Sequence, residues 1–172
     1  MKNSRFIPIG LGAVSIAALG VSSVVDCAPQ LVWNASASAP IGLYSIERKP
    51  PEIGDFVLVD PDENFVKLIT ERGYLPPDIP LLKRVAALAG DEICREKERI
   101  FLNTIHVADA LLVDSAGQKM PVWSGCFSLG EDEVFLLNAS EKSLDGRYVG
   151  ATNGSQIIGI ARPVWVKLDA PK

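Results

Sequence analysis

Short apolar stretches with strand periodicity punctuate this chain, and the one long apolar run stands at its start. That run, Phe6 to Val25, follows Lys2 and Arg5 and ends at Asp26. A helix rising ~1.5 Å per residue over this length spans the ~30 Å hydrocarbon core of a bilayer. Basic charge ahead of the run keeps the N-terminus in the cytoplasm and sends the remainder outward. The run is weakly apolar, with Pro8, Gly10, Gly12 and Gly20, so a retained anchor and a cleaved signal peptide both fit. Its length favours the anchor. The organisation expected is an N-terminal membrane segment at 1–28 and an exported domain at 29–172.

Within the domain, "GLYSIE" alternates after a Pro40–Gly42 turn, and "FVLVD" is a continuous apolar strand of the buried kind. "PDENFVKLITERGY" places Phe65, Val66, Leu68 and Ile69 on one helical face, with acidic residues at its start and Gly73, Pro76 and Pro77 at its end. "LLKRVAALAGDEI" reads as strand, Gly-Asp turn and strand. The piece from about 92 to 126 is polar and turn-rich, an excursion with short strands such as "RIFLN" and "IHVA". "EVFLLN" and "IIGIARPVWVKL" return to strand pattern. The pattern predicts a mostly β, antiparallel domain with one short helix.

Composition changes this picture little. A net charge of −4 without a Lys/Arg stripe speaks against a nucleic-acid partner. One histidine and three cysteines give no metal-ligand spacing, and no cofactor is expected. Export favours a Cys94–Cys126 disulfide over two buried thiols; closing about thirty residues would stabilise by roughly 3–4 kcal/mol. Cys27 follows an acidic residue, a poor lipoprotein cleavage site, and reads as a membrane-edge thiol.

Three stretches hold candidate chemistry. "NASASAPIGLY" places Ser36 and Ser38 on a Pro-Gly turn, but a serine nucleophile needs a base. His106 sits in a separate predicted hairpin, which disfavours a Ser-His-Asp triad. Lys83 shares a strand face with Leu81 and Val85. It is either a buried amine with a lowered pKa or a lysine whose head reaches water beside Arg84. In "NASEKSLDGRYVG", extended backbone would put Ser143, Asp145 and Arg147 on one face; a polar surface turn with an ion pair is the plainer reading.

In order, these stretches resemble the motif boxes of the signal peptidase I superfamily of serine–lysine proteases. "NASASAPIGLY", "ERGYLPP", "PLLKRVAALAGD", "WSGC" and "SLDGRYVG" are most similar to its conjugative-transfer (TraF) group. The resemblance covers nearly the whole chain and implies a signal peptidase I-like antiparallel β-sheet fold behind a transmembrane helix, docked on the periplasmic side of the inner membrane. It implies Ser38 as nucleophile and Lys83 as general base. The Ser36 hydroxyl and the Ser38 N–H would form the oxyanion hole, with Ser143 orienting the amine and Asp145 and Arg147 supporting it. The implied substrate is a propilin, or another exported protein, with small residues before the cut; the implied partners are components of a conjugation apparatus. Ala39 stands where general signal peptidases usually carry methionine. Pro40 follows Ser38 by two residues, as in the TraF group, and Gly146 stands where serine is frequent. A general signal peptidase and a silent periplasmic scaffold are the alternatives.

Overall fold

Thirteen elements follow one another in the computed structural model, which describes residues 30–77 and 79–167. They begin with β1 (Leu31–Asn34), β2 (Gly42–Glu47), β3 (Phe56–Val59), α1 (Glu63–Glu71) and β4 (Leu81–Ala87). Then come β5 (Glu92–Glu96), β6 (Arg99–Leu102), β7 (Ile105–Asp109) and β8 (Gly125–Ser128). The chain returns through β9 (Glu133–Leu136), α2 (Gly146–Val149), β10 (Thr152–Asn153) and β11 (Ile157–Val166), with one 3₁₀ turn at Gly154–Gln156. The expected membrane segment and Cys27 lie outside the described residues. Among the described residues no helix is long and apolar enough to cross a membrane.

The strands form a seven-stranded sheet, β1-β2-β11-β3-β4-β9-β10, and a four-stranded one, β7-β6-β5-β8. Every pairing between them is antiparallel. The continuous apolar run of β3 follows from its interior place between β11 and β4, where Val57, Leu58 and Val59 are all buried. On β4 the alternation serves two cores. Val85 packs with Val57, Val59, Val134 and Leu136. Leu82, on the opposite face, packs with Ala39, Tyr44 and Ala161. One strand thus divides two apolar layers, and Lys83 lies between Leu82 and the outward Arg84.

Helix α1 forms where predicted. Asp62 caps it by accepting the Phe65 N–H at 2.8 Å, and Phe65 and Ile69, one turn apart, are its buried residues. The 92–126 excursion is the smaller sheet, seated on a core of Ala87, Ile93, Ile100, Leu129 and Phe135. Cys94 and Cys126 face each other in the β5–β8 register and are joined as a disulfide, with Cα atoms 4.0 Å apart. Two features depart from the sequence pattern. β1 is a strand that the pattern after Asp26 did not mark, and α2 adds a second, one-turn helix where a polar surface turn was the plainer reading.

Candidate active site

The serine turn closes a hairpin. β1 and β2 pair from Leu31 opposite Ser45 to Asn34 opposite Gly42, and the chain between them must reverse over seven residues. Asn34 governs that reversal from its buried place at the end of β1. Its Oδ1 accepts the Ser36 N–H at 3.1 Å, an Asx turn, while its Nδ2 donates to the carbonyls of Ser36, Ala39 and Pro40 at 2.9, 3.2 and 3.0 Å. The Tyr44 hydroxyl donates to the same Pro40 carbonyl at 2.7 Å. A side chain at Gly42 has no room: its Cβ would lie 2.1 Å from the Trp165 carbonyl oxygen on β11. At the turn's tip the Ser36 and Ser38 hydroxyls lie 2.9 Å apart, and the Ser38 N–H donates to Ser36 Oγ at 3.3 Å. Ala39, the next residue, is buried against Leu82. That packing sets the turn beside β4.

Lys83 is buried, with 7% of its surface exposed. Its Nζ lies 3.3 Å from Ser143 Oγ, and among the described residues it forms no ion pair. Burial disfavours its ammonium form and holds its pKa down to about 8; the Arg147 charge adds to this, while Asp145 opposes it. The snorkelling alternative therefore does not apply. Strand β4 carries its neighbour outward instead: Arg84 is exposed and bonds the Gly54 carbonyl at 3.0 Å.

The segment from Ser143 to Arg147 is not a surface turn, and its extended backbone at Asp145 gives way to a helical turn at Gly146. Ser143, Asp145 and Arg147 are each no more than 2% exposed. Asp145 caps α2, accepting the Arg147 backbone N–H at 3.2 Å, and Arg147 folds back so that its Nε meets the same carboxylate at 3.1 Å. A helical turn replaces the extended one because a buried carboxylate needs these donors. Burial pushes the Asp145 carboxyl up, and Arg147, Lys83 and the Asn138 N–H at 3.1 Å pull the other way. Gly146 is fixed by contact: a Cβ there would meet Phe135 Cε2 at 2.6 Å and the Leu136 carbonyl at 2.9 Å. A serine at this position has no space, and the hydroxyl beside the lysine comes from Ser143.

Asn138, absent from the sequence-derived set, joins the two halves. Its Oδ1 accepts the Arg84 N–H at 2.9 Å and its Nδ2 donates to the Leu82 carbonyl at 3.2 Å, so one side chain grips β4 on both sides of Lys83. Its carbonyl accepts from Arg147 Nη2. Asn34 was missed as well, although an asparagine two residues before a serine in a turn carries a recognisable Asx signal. A cavity of about 40 Å³ adjoins Lys83 and Asp145, walled by Phe65, Leu81 and Leu136.

The geometry therefore gathers the site residues into two groups, a serine pair with Asn34 and a lysine cluster with Ser143, Asp145, Arg147 and Asn138. Among the described residues no hydrogen bond links Ser38 to Lys83. His106 belongs to neither group; on exposed β7 its Nε2 lies 3.0 Å from Asp109 Oδ1.

The chain has known relatives. The signal peptidase, peptidase S26, family matches the chain over residues 4–166, and the chain belongs to that family. It is similar to the plasmid transfer protein TraF of Escherichia coli, with 34% identity over 172 residues and 94% of each chain covered. The conjugal transfer protein TraF of Agrobacterium fabrum (strain C58 / ATCC 33970) is 32% identical over 77% of this chain and 80% of its own. A solved signal peptidase I from Enterococcus faecalis V583 covers 66% of this chain and 98% of its own at 16% identity; its TM-score of 0.39 is too low to add to the fold described above.

Proposed function

We propose that this chain is a serine–lysine endopeptidase that cuts a pilin precursor for a conjugative transfer system. In this reading residues 1–28 anchor it in the inner membrane, with the catalytic domain on the periplasmic side. The observation that supports it most is the buried Lys83 amine, held to a pKa of about 8 beside the Ser143 hydroxyl. Such an amine is a usable base near neutral pH.

Ser38 attacks the scissile carbonyl while neutral Lys83 takes its hydroxyl proton. The Ser38 N–H and the Ser36 hydroxyl turn from each other to the oxyanion that develops. The lysine ammonium returns the proton to the leaving amine, and the acyl-enzyme is resolved by water or by the pilin's own amino terminus. Substrate binding must first move the Ser38 hydroxyl from Ser36 to Lys83. Bonds of this kind tighten in the bound complex. The TraF relatives, named for plasmid and conjugal transfer, supply the biological setting.

The pH–rate profile tests the base. Only the neutral amine accepts the proton, so kcat/KM should rise about tenfold per pH unit below about 8 and level off above it. A profile flat from pH 6 to 9 would remove Lys83 from the mechanism. Ser36→Ala should lower kcat about 10²–10³-fold with little change in KM, the usual cost of one oxyanion donor. A change confined to KM would assign Ser36 to substrate binding instead.

A further inference from the structure

The side chain of Asn34 does more than finish a strand. It is 8% exposed, and among the described residues all four of its side-chain hydrogen bonds fall on the seven-residue span that carries Ser36 and Ser38. One amide receives the Ser36 N–H and supplies two hydrogens to three carbonyls, those of Ser36, Ala39 and Pro40. The carbonyls flank Ser38 on both sides in sequence, so the amide draws the backbone before and after the nucleophile toward one point. The serine hydroxyls, by contrast, bond among the described residues only to each other's residue. Their direction is therefore set by the backbone, and the backbone is set by Asn34, with Tyr44 assisting at Pro40 alone.

We propose that Asn34 is a positioning residue for the nucleophile, fixing the turn so that the Ser38 hydroxyl and the two oxyanion donors present together. The inference rests on the peptidase reading above. Its chemistry is specific to an amide. A carboxylate of the same shape accepts but does not donate, and would set its charge against three carbonyl oxygens. Alanine leaves the same carbonyls without their donor. The turn then relaxes by a fraction of an ångström to about an ångström. A misplacement of that size costs on the order of 10² in rate while leaving the substrate groove in place.

The test compares wild type, Asn34→Ala, Asn34→Asp and Ser38→Ala as full chains in detergent. The probe is an internally quenched peptide with alanine before the scissile bond. Folded fraction is read in parallel by circular dichroism and thermal melting. The expected result is a kcat about 10²-fold lower in both Asn34 variants, with KM within about twofold of wild type and kcat expressed per folded molecule. Wild-type kcat per folded molecule, whether or not the variants melt earlier, would overturn the inference and leave Asn34 a residue of the fold. A raised KM with intact kcat would overturn it too. Equal cleavage by wild type and Ser38→Ala removes the peptidase reading and this inference with it. A dead Ser38→Ala beside fully active Asn34 variants removes the inference alone.

Discussion

Lys83→Met should abolish peptide cleavage and, below pH 8, make the domain more stable than wild type. The two effects share one cause. The lysine of an unfolded chain titrates at its ordinary value of 10.5, whereas the buried amine titrates at about 8. Below pH 8 both states hold the proton, and the folded state bears the full cost of a desolvated ammonium. Between pH 8 and 10.5 the folded state releases its proton first, so the cost fades as pH rises. At 1.36 kcal/mol per unit the penalty is on the order of 3 kcal/mol. Methionine has similar length and no charge, and forfeits only the contact with Ser143, about 1 kcal/mol. The net gain of ~2–3 kcal/mol should raise Tm by roughly 5–10 °C at pH 6 and vanish near pH 10. Thermal melts of both proteins across that range check it. A variant less stable than wild type at every pH would mean that the ammonium is favourably held in the folded state.

Ser38→Ala should be the opposite kind of change, silent in the fold and complete in the chemistry. The Ser38 side chain is half-buried at the tip of the turn, and among the described residues its hydroxyl bonds only Ser36. Removing it leaves Ala39 packed on Leu82 and the Asn34 bonds in place. Tm should move by no more than a degree or two. Turnover should fall by about 10⁴–10⁶, the loss seen when a serine protease loses its nucleophile. Single-turnover cleavage of the quenched peptide gives this ratio. A residual rate within a hundredfold of wild type would mean that another group attacks.

Much of the scaffold was legible in the chain because its signals are local. The β3 run, the Asp62 cap and Gly73 stop of α1, and the Gly-Asp turn after β4 each announce themselves within a few residues. β1 did not, because Leu31, Val32 and Trp33 are too short an apolar stretch to show a period. The lysine was visible as an anomaly, an amine on an apolar strand face, but its fate depended on residues 60 positions away at Ser143. The box around Asp145 reads most plainly as a polar surface turn, and that reading fails for a related reason. Nothing in "SLDGR" says that the carboxylate is buried, and burial is what bends Arg147 back onto it.

Other residues were hidden because their partners are distant. Arg95 of β5 carries no local signal, yet it is buried and donates to the carbonyl of Arg147 at 2.7 Å. Trp123 likewise donates to the Gly146 carbonyl at 3.2 Å. These two bonds tie β5 and the segment before β8 to α2, which carries Arg147 of the lysine cluster. Asn138, with bonds to both sides of Lys83, has its meaning only once β4 and the Asp145 segment are brought together.

The central claim is that Ser38 and Lys83 act as a pair on a pilin precursor. Its most direct test is intact-mass spectrometry of the cognate propilin, co-expressed with wild type, Ser38→Ala or Lys83→Met, with each variant chain confirmed by immunoblot at wild-type levels. Maturation with wild type alone is the predicted result; a product one water lighter than the linear chain would add that the acyl-enzyme is closed by the pilin's own amino terminus. Equal maturation of the pilin in all three strains would contradict it, and would leave the chain a scaffold with the fold of a peptidase.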